Sequence, residues 1–194
     1  MKHLFLLFII FLFSGTFAES LFDLKKVEIN PIISIQSDDS NWEREYERSI
    51  RHIEYSEGFT DTVTYILDGL PKIGFGHVIR EGDSFTIPIN WNDADNFVRK
   101  DFNWNIEAIM RLTDNELTIP LRGNKLLAMA NFCYNCGIGS FMKNIFPVIK
   151  NGGDIKYALY KHTKYRKNRN EKYHISKGIL NRRIWEYKLY MKGE

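Results

Sequence analysis

The order of elements along the chain predicts an α+β fold built as two unequal lobes with a cleft between them. Three observations carry this. A helical stripe ends near residue 57, residues 59–90 mix β-branched residues with turn formers, and everything after about residue 92 reads as helix. The small sheet therefore belongs to one lobe and most of the helices to the other.

The first residues, MKHLFLLFIIFLFSGTFAES, precede that pattern. Lys2 and His3 give a short basic start, Leu4 to Phe13 is unbroken apolar sequence, and Thr16-Phe17-Ala18 supplies small residues for cleavage. This is the anatomy of a secretory signal peptide over 1–18. Its ten apolar residues fall short of the roughly 20 that a spanning helix needs. The expectation is export to a secreted or periplasmic location, without stable insertion in a membrane. Residues 19–41 lack periodicity, contain Pro31 and a polar Ser-Ile-Gln-Ser-Asp-Asp-Ser-Asn run, and read as an arm or linker. The folded domain is expected over 42–194.

Ser40-Asn41 is placed to cap the first helix, and Gly58 to end it. Tyr46, Ile50, Ile53 and Glu57 recur at spacings of four, three and four, so they share one face. Glu57 thus stands in line with the buried stripe at the last turn. Residues 59–90 alternate Thr, Val, Tyr and Ile with Gly, Asp and Pro, which predicts short strands. In that region Ile73-Gly74-Phe75-Gly76-His77 suits a tight hairpin bringing backbone close to a cleft. A long helix is expected over 92–111, and the most apolar helix, 124–134, at the centre of the larger lobe. Further helices are expected over 140–150, 154–163 and 178–192, broken at Gly152-Gly153-Asp154 and Ser176-Lys177-Gly178.

Charge is distributed unevenly. From Lys143 onward there are 14 Lys+Arg against 4 Asp+Glu, a net of +10, whereas the preceding residues carry 13 against 20, a net of −7. A basic C-terminal region suits an anionic partner, and for an exported chain a cell-wall polymer fits better than nucleic acid. The same charges also suit a solvated helix face. Cys133 and Cys136, spaced C-x-x-C, are too few for a disulfide framework or a complete zinc site. They sit in a helical pattern without a preceding strand, which favours core thiols, reduced or oxidised together after export, over a thioredoxin-like pair.

The segment from Glu57 through Asp68-Gly69 to Ile73-Gly74-Phe75-Gly76-His77 resembles the motif of the phage-type lysozymes, glycoside hydrolase family 24. The interval of 20 residues from Glu57 to His77 matches that motif without gaps. The resemblance continues in Asn131 to Phe141, in Asn151-Gly152-Gly153-Asp154 and in Gly178 to Tyr190, which is similar to a terminal Gly-Leu-x-x-Arg-Arg-x-x-Glu segment. It implies a lysozyme-like two-lobed fold and cleavage of the β-1,4 MurNAc–GlcNAc bond of a peptidoglycan glycan strand. It also implies a monomer that needs neither metal nor organic cofactor.

The resemblance further implies Glu57 as general acid, and Gly74, Gly76 and His77 as structural support, with His77 fixed by a carboxylate from the other lobe. An acid must hold a proton near neutral pH, and the shared face with Ile50 and Ile53 predicts an apolar setting that would do this. Two positions depart from the family. Where it has Asp nine residues after the Glu and Thr fifteen after, this chain has Ile66 and Lys72. Asp68 is the candidate replacement carboxylate, with Asp61 a weaker one, although Asp-Gly is equally a turn pair. Lys72, Tyr134 and Asn135 are candidate substrate contacts; Asn135 could equally cap its helix. Arg182-Arg183 reads as lobe packing or a wall-phosphate contact. Hydrolysis, lytic transglycosylation by Glu57 alone, and non-catalytic binding of peptidoglycan all remain open on these residues.

Overall fold

Glycine and proline mark where this chain changes direction, and buried stripes decide which helix faces meet. A computed structural model describes residues 39–65, 69–165 and 174–193. The expected signal peptide, nearly all of the arm, Ile66 and Asp68 lie outside the described residues.

Helix α1, Asp39–Glu57, has no Gly or Pro and buries Ile50 and Ile53 completely. It stops because Gly58 takes φ +74°, a left-handed conformation that disfavours a side chain, and returns its N–H to the Glu54 carbonyl at 3.0 Å. Three antiparallel strands follow in the order β1 (Thr60–Tyr65), β2 (Pro71–Gly74), β3 (His77–Val78). Thr60 pairs with Gly74 but Thr64 with Lys72, so the register shifts between them and β1 bends. β2 and β3 pair through Lys72–Val78 and Ile73–His77, as a hairpin turning at Gly74-Phe75-Gly76.

Helix α2, Trp91–Thr113, is capped by Asn90, whose side-chain oxygen accepts the Asp93 N–H at 2.9 Å. Its buried face, Ala94, Phe97, Val98, Phe102, Ile106 and Ile109, carries the sheet on its first half and the helical core on its second. Helix α3, Gly123–Cys136, packs against α1, α2 and the last helix, and buries every residue from Leu126 to Cys133. It is the centre of the helical lobe, as its apolar sequence predicts.

The single helix expected over 140–150 is divided. A short turn, α4 (Ile138–Ser140), leads into a π-helical turn over Phe141–Ile145 and then α5, Phe146–Lys150. Pro147 lies in the first turn of α5; it has no N–H for a continuous α ladder, so the backbone widens just before it. α6, Ile155–Tyr160, is capped by Asp154 and runs into a 3₁₀ turn over Lys161–Thr163. β4 (Lys164–Tyr165) and β5 (His174–Ile175) then pair antiparallel, a ribbon too short to leave a two-residue period in the sequence. The last helix, α7, Lys177–Tyr190, starts at Ser176, whose hydroxyl accepts the Ile179 N–H at 3.3 Å. Among the described residues no helix is long and apolar enough to cross a membrane.

The seam between sheet and helices is tight at one point. Gly74 has φ +65°, and a Cβ placed there would lie 2.8 Å from the Ala94 Cβ of α2. Gly69 has a similar φ of +74° but open space around it. Gly74→Ala is therefore expected to cost about 1–3 kcal/mol more than Gly69→Ala, from overpacking added to the same backbone strain. Urea unfolding of the two variants measures the difference.

Candidate active site

Glu57 occupies the last position of α1, and three elements fix its carboxyl. Oε1 accepts a hydrogen bond from the Arg182 guanidinium of α7, across 125 residues of sequence. Oε2 faces the β2–β3 hairpin, where a Cβ on Gly76 would lie 3.4 Å from it. Gly76 has φ +83°, so the backbone favours glycine here. The Glu57 side chain keeps 25% of its exposure, while Arg182 keeps 4%. The apolar pocket expected around Glu57 is thus corrected. Ile50 and Ile53 turn into the core beneath it, and the carboxyl itself is held by a nearly buried cation. Arg182, read from sequence as packing or a wall contact, is the partner of the candidate acid.

His77 lies at the start of β3 and is 1% exposed. Its Nδ1 is 2.7 Å from Asp101 Oδ2 on α2, its Nε2 is 3.0 Å from Asp83 Oδ2, and its ring stacks on Phe97 at 4.1 Å. Each ring nitrogen faces a carboxylate, which leaves none free to act as a base. Asp101 is the carboxylate from the helical side that the resemblance implies; Asp83 is a second one, with no sequence signal beyond a polar loop. Burial pushes the Asp83 carboxyl up, but hydrogen bonds from His77, the Arg80 backbone N–H and Lys100 outweigh it and hold it down at about 2.

Tyr134 does not present its hydroxyl for a substrate. The O–H donates to the Phe75 carbonyl in the hairpin turn at 3.0 Å, and burial, with the charges of Asp101 and Glu57, raises its pKa. Its role is to tie α3 to the Gly74-Phe75-Gly76 turn. Asn135 is exposed at the end of α3, but its side-chain oxygen accepts from Arg183 at 3.1 Å and from the Cys136 thiol at 3.5 Å. Only its amide N–H groups remain to be offered to a ligand. Lys72 is half-buried on β2, and its backbone faces both β1 and β3. Asp61 is exposed on β1. Cys133 is buried and Cys136 half-buried; both are free thiols, and the Cys136 sulfur accepts from Arg183 at 3.0 Å. No group of three or more His, Cys, Asp or Glu among the described residues could hold a metal ion.

Two surface grooves are present among the described residues. One, of about 510 Å³, runs between α1 and Trp185 past Arg44, Arg48, Arg51, His52 and Tyr55. The other, of about 300 Å³, lies around Gly152-Gly153-Asp154 and Tyr187. Glu57 lines neither.

Residues 54–186 match the phage lysozyme family, and the chain belongs to it. No curated relative matches by sequence. Among solved structures, the chain is similar to the muramidase domain of SpmX from Asticaccaulis excentricus, at 24% identity and a TM-score of 0.62, covering 75% of this chain and 95% of that one. It is similar to an endolysin from Escherichia coli O157:H7 phage FAHEc1, at 20% identity and a TM-score of 0.59, covering 76% and 92%. A variant of P22 lysozyme aligns at 20% identity with a TM-score of 0.55, covering 75% and 96%. The two-lobed α+β fold with a small three-stranded sheet is shared with these structures.

The low position of Asp83 has a consequence for acid stability. Its pKa lies below the usual 3.8, so its contribution is present above about pH 4 and lost as pH falls through about 2. A shift of that size corresponds to about 2 kcal/mol. Denaturant unfolding of the native chain should show this loss between pH 4 and 2, and Asp83→Asn, less stable at pH 7, should lack that step.

Proposed function

We propose that the chain is an exported peptidoglycan-lytic enzyme, a muramidase that cleaves the β-1,4 MurNAc–GlcNAc bond with Glu57 as general acid. The observation that carries this reading is the placement of Glu57: a carboxyl at a helix end, held on one oxygen by Arg182 and facing the Gly76 hairpin with the other. Membership of the phage lysozyme family supports the substrate class. The muramidase and endolysin titles of similar structures agree with it.

Glycoside cleavage needs a proton on the leaving oxygen as positive charge builds on the sugar ring. With Oε1 committed to Arg182, Oε2 is the oxygen left to carry that proton. Arg182 then fixes the direction of transfer, since rotation of the carboxyl would break the ion pair. Gly76 leaves room for the sugar's approach on the same side, and His77, clamped by Asp83 and Asp101, keeps the hairpin in register beneath it. Asn135 offers amide N–H groups to sugar hydroxyls or N-acetyl oxygens. Glu57→Gln keeps the shape and removes the transferable proton, so cleavage by the folded variant should fall by roughly 10²–10⁴-fold, while the loss of a counter-charge for Arg182 lowers its stability. Release of soluble muropeptides from purified sacculi measures it; unchanged turnover would exclude Glu57 as the acid.

A second reading follows from Ile66 and Lys72, which stand where the family has Asp and Thr. An isoleucine cannot orient water, so attack by the muramyl hydroxyl, giving an anhydro product, competes with hydrolysis. A cation at Lys72 also suits a wall whose acetyl or peptide pattern is modified, and would in the extreme leave a module that binds peptidoglycan without cutting it. The products decide. If Asp68 positions water, Asp68→Asn abolishes the release of reducing ends from peptidoglycan. If Glu57 acts alone, Asp68→Asn retains activity and mass spectrometry finds anhydro-muropeptides.

A further inference from the structure

Behind the Glu57–Arg182 pair lies a second layer of charge. Glu186, one turn along α7 from Arg182, is fully buried; its Oε1 accepts from Arg183 at 2.9 Å and lies 3.6 Å from the Arg182 Nε. Its Oε2 is buried without a hydrogen-bond partner, as are the Nε and one terminal nitrogen of Arg182. Arg183, wholly buried, also lies 4.7 Å from the Phe132 ring centre and donates to Asn135 and Cys136. Two buried guanidiniums therefore share two carboxylates, one sealed in the core and one at the reactive site. A buried cation requires a counter-charge. Whatever Glu186 does not supply to Arg182, Glu57 must.

We propose that Glu186 is a positioning residue for Glu57, acting through Arg182. When Glu186 is ionised it shares Arg182, and the hold of Arg182 on Glu57 slackens. When Glu186 takes up a proton, Arg182 is left to Glu57 alone and the pair tightens. This deepens the reading of Glu57 as the acid and rests on it for its catalytic meaning.

Burial pushes the Glu186 carboxyl up to about 7, against the pull of Arg183 and Arg182. The other titratable groups described around this cluster are shifted away from that pH. His52 of α1, stacked on Trp185, is held down at about 4 by burial and then by Arg182. His162 of the 3₁₀ turn is lowered by burial and by Arg183. On α3, burial raises the thiols of Cys133 and Cys136, so both stay neutral. Among the described residues of this shell, Glu186 is the carboxyl that burial brings towards neutrality.

The coupling is read directly by carboxyl-carbon NMR of the full chain labelled at glutamate, across pH 4–9. The Glu57 carboxyl signal is expected to show an added inflection near pH 7 that coincides with the titration of Glu186. Folded Glu186→Gln, whose neutral amide leaves Arg182 to Glu57 at every pH, loses that inflection, and loses with it the roughly 10-fold rise in kcat on purified peptidoglycan that the native chain shows as pH falls through about 7 and the pair tightens, with KM little changed. Glu186→Asp, which keeps a titrating carboxyl, keeps a pH-dependent kcat. A Glu57 signal without an inflection near pH 7 in the native chain overturns the proposal, as does one that persists in folded Glu186→Gln. If Glu186→Gln does not fold, the coincidence of the two titrations in the native chain decides. An inflection in a chain that cleaves no peptidoglycan leaves the coupling standing and removes the acid reading.

Discussion

Arg182 cannot be buried without a counter-charge, and the site is organised around that constraint. The guanidinium is nearly sealed between α7 and the end of α1, and the carboxyl that meets it is Glu57. The first helix, the last helix and the candidate acid are therefore placed by one ion pair. Losing either partner would leave a charge in a partly dry environment, which costs far more than an exposed pair contributes. The same logic extends inward to Arg183 and Glu186, which lock α7 against the end of α3 through Asn135 and Cys136.

The other side of the site is held by backbone. Gly74, Phe75 and Gly76 make a turn that passes between Ala94 of α2, which a side chain on Gly74 would strike, and the Glu57 carboxyl. Tyr134 fixes that turn from α3 by donating to the Phe75 carbonyl, and His77 fixes its exit through Asp83 and Asp101. The candidate acid's surroundings are thus built from three different regions of the chain. Their rigidity comes from hydrogen bonds that reach the hairpin and the carboxyl from α2, α3 and α7, which is what preorganisation of a reacting carboxyl requires.

Particular residues show where reading the sequence succeeded and where it stopped. The stripe of Ile50, Ile53 and Glu57 is a local property of a 3.6-residue period, so the end of α1 and the position of its acid were legible. The apolar run of α3 foretold its central burial for the same reason. The partners of Tyr134 and Arg182 were not legible because they lie 59 and 125 residues away. A tyrosine at a helix end looks alike whether its hydroxyl meets a sugar or a backbone carbonyl. The division of the helix over 140–150 followed from Pro147, a visible signal whose effect depended on how the backbone upstream could widen.

By itself the sequence determined the local periods, the turn glycines, the family motif from Glu57 to His77, and the two departures from it at Ile66 and Lys72. These depend on residues close together in the chain, where propensity and spacing act directly. The tertiary structure decided which charges meet: Glu57 with Arg182, His77 with both Asp83 and Asp101, and Glu186 with two arginines. Those choices rest on desolvation and distance, and both exist only once α1, α2, α3 and α7 have packed.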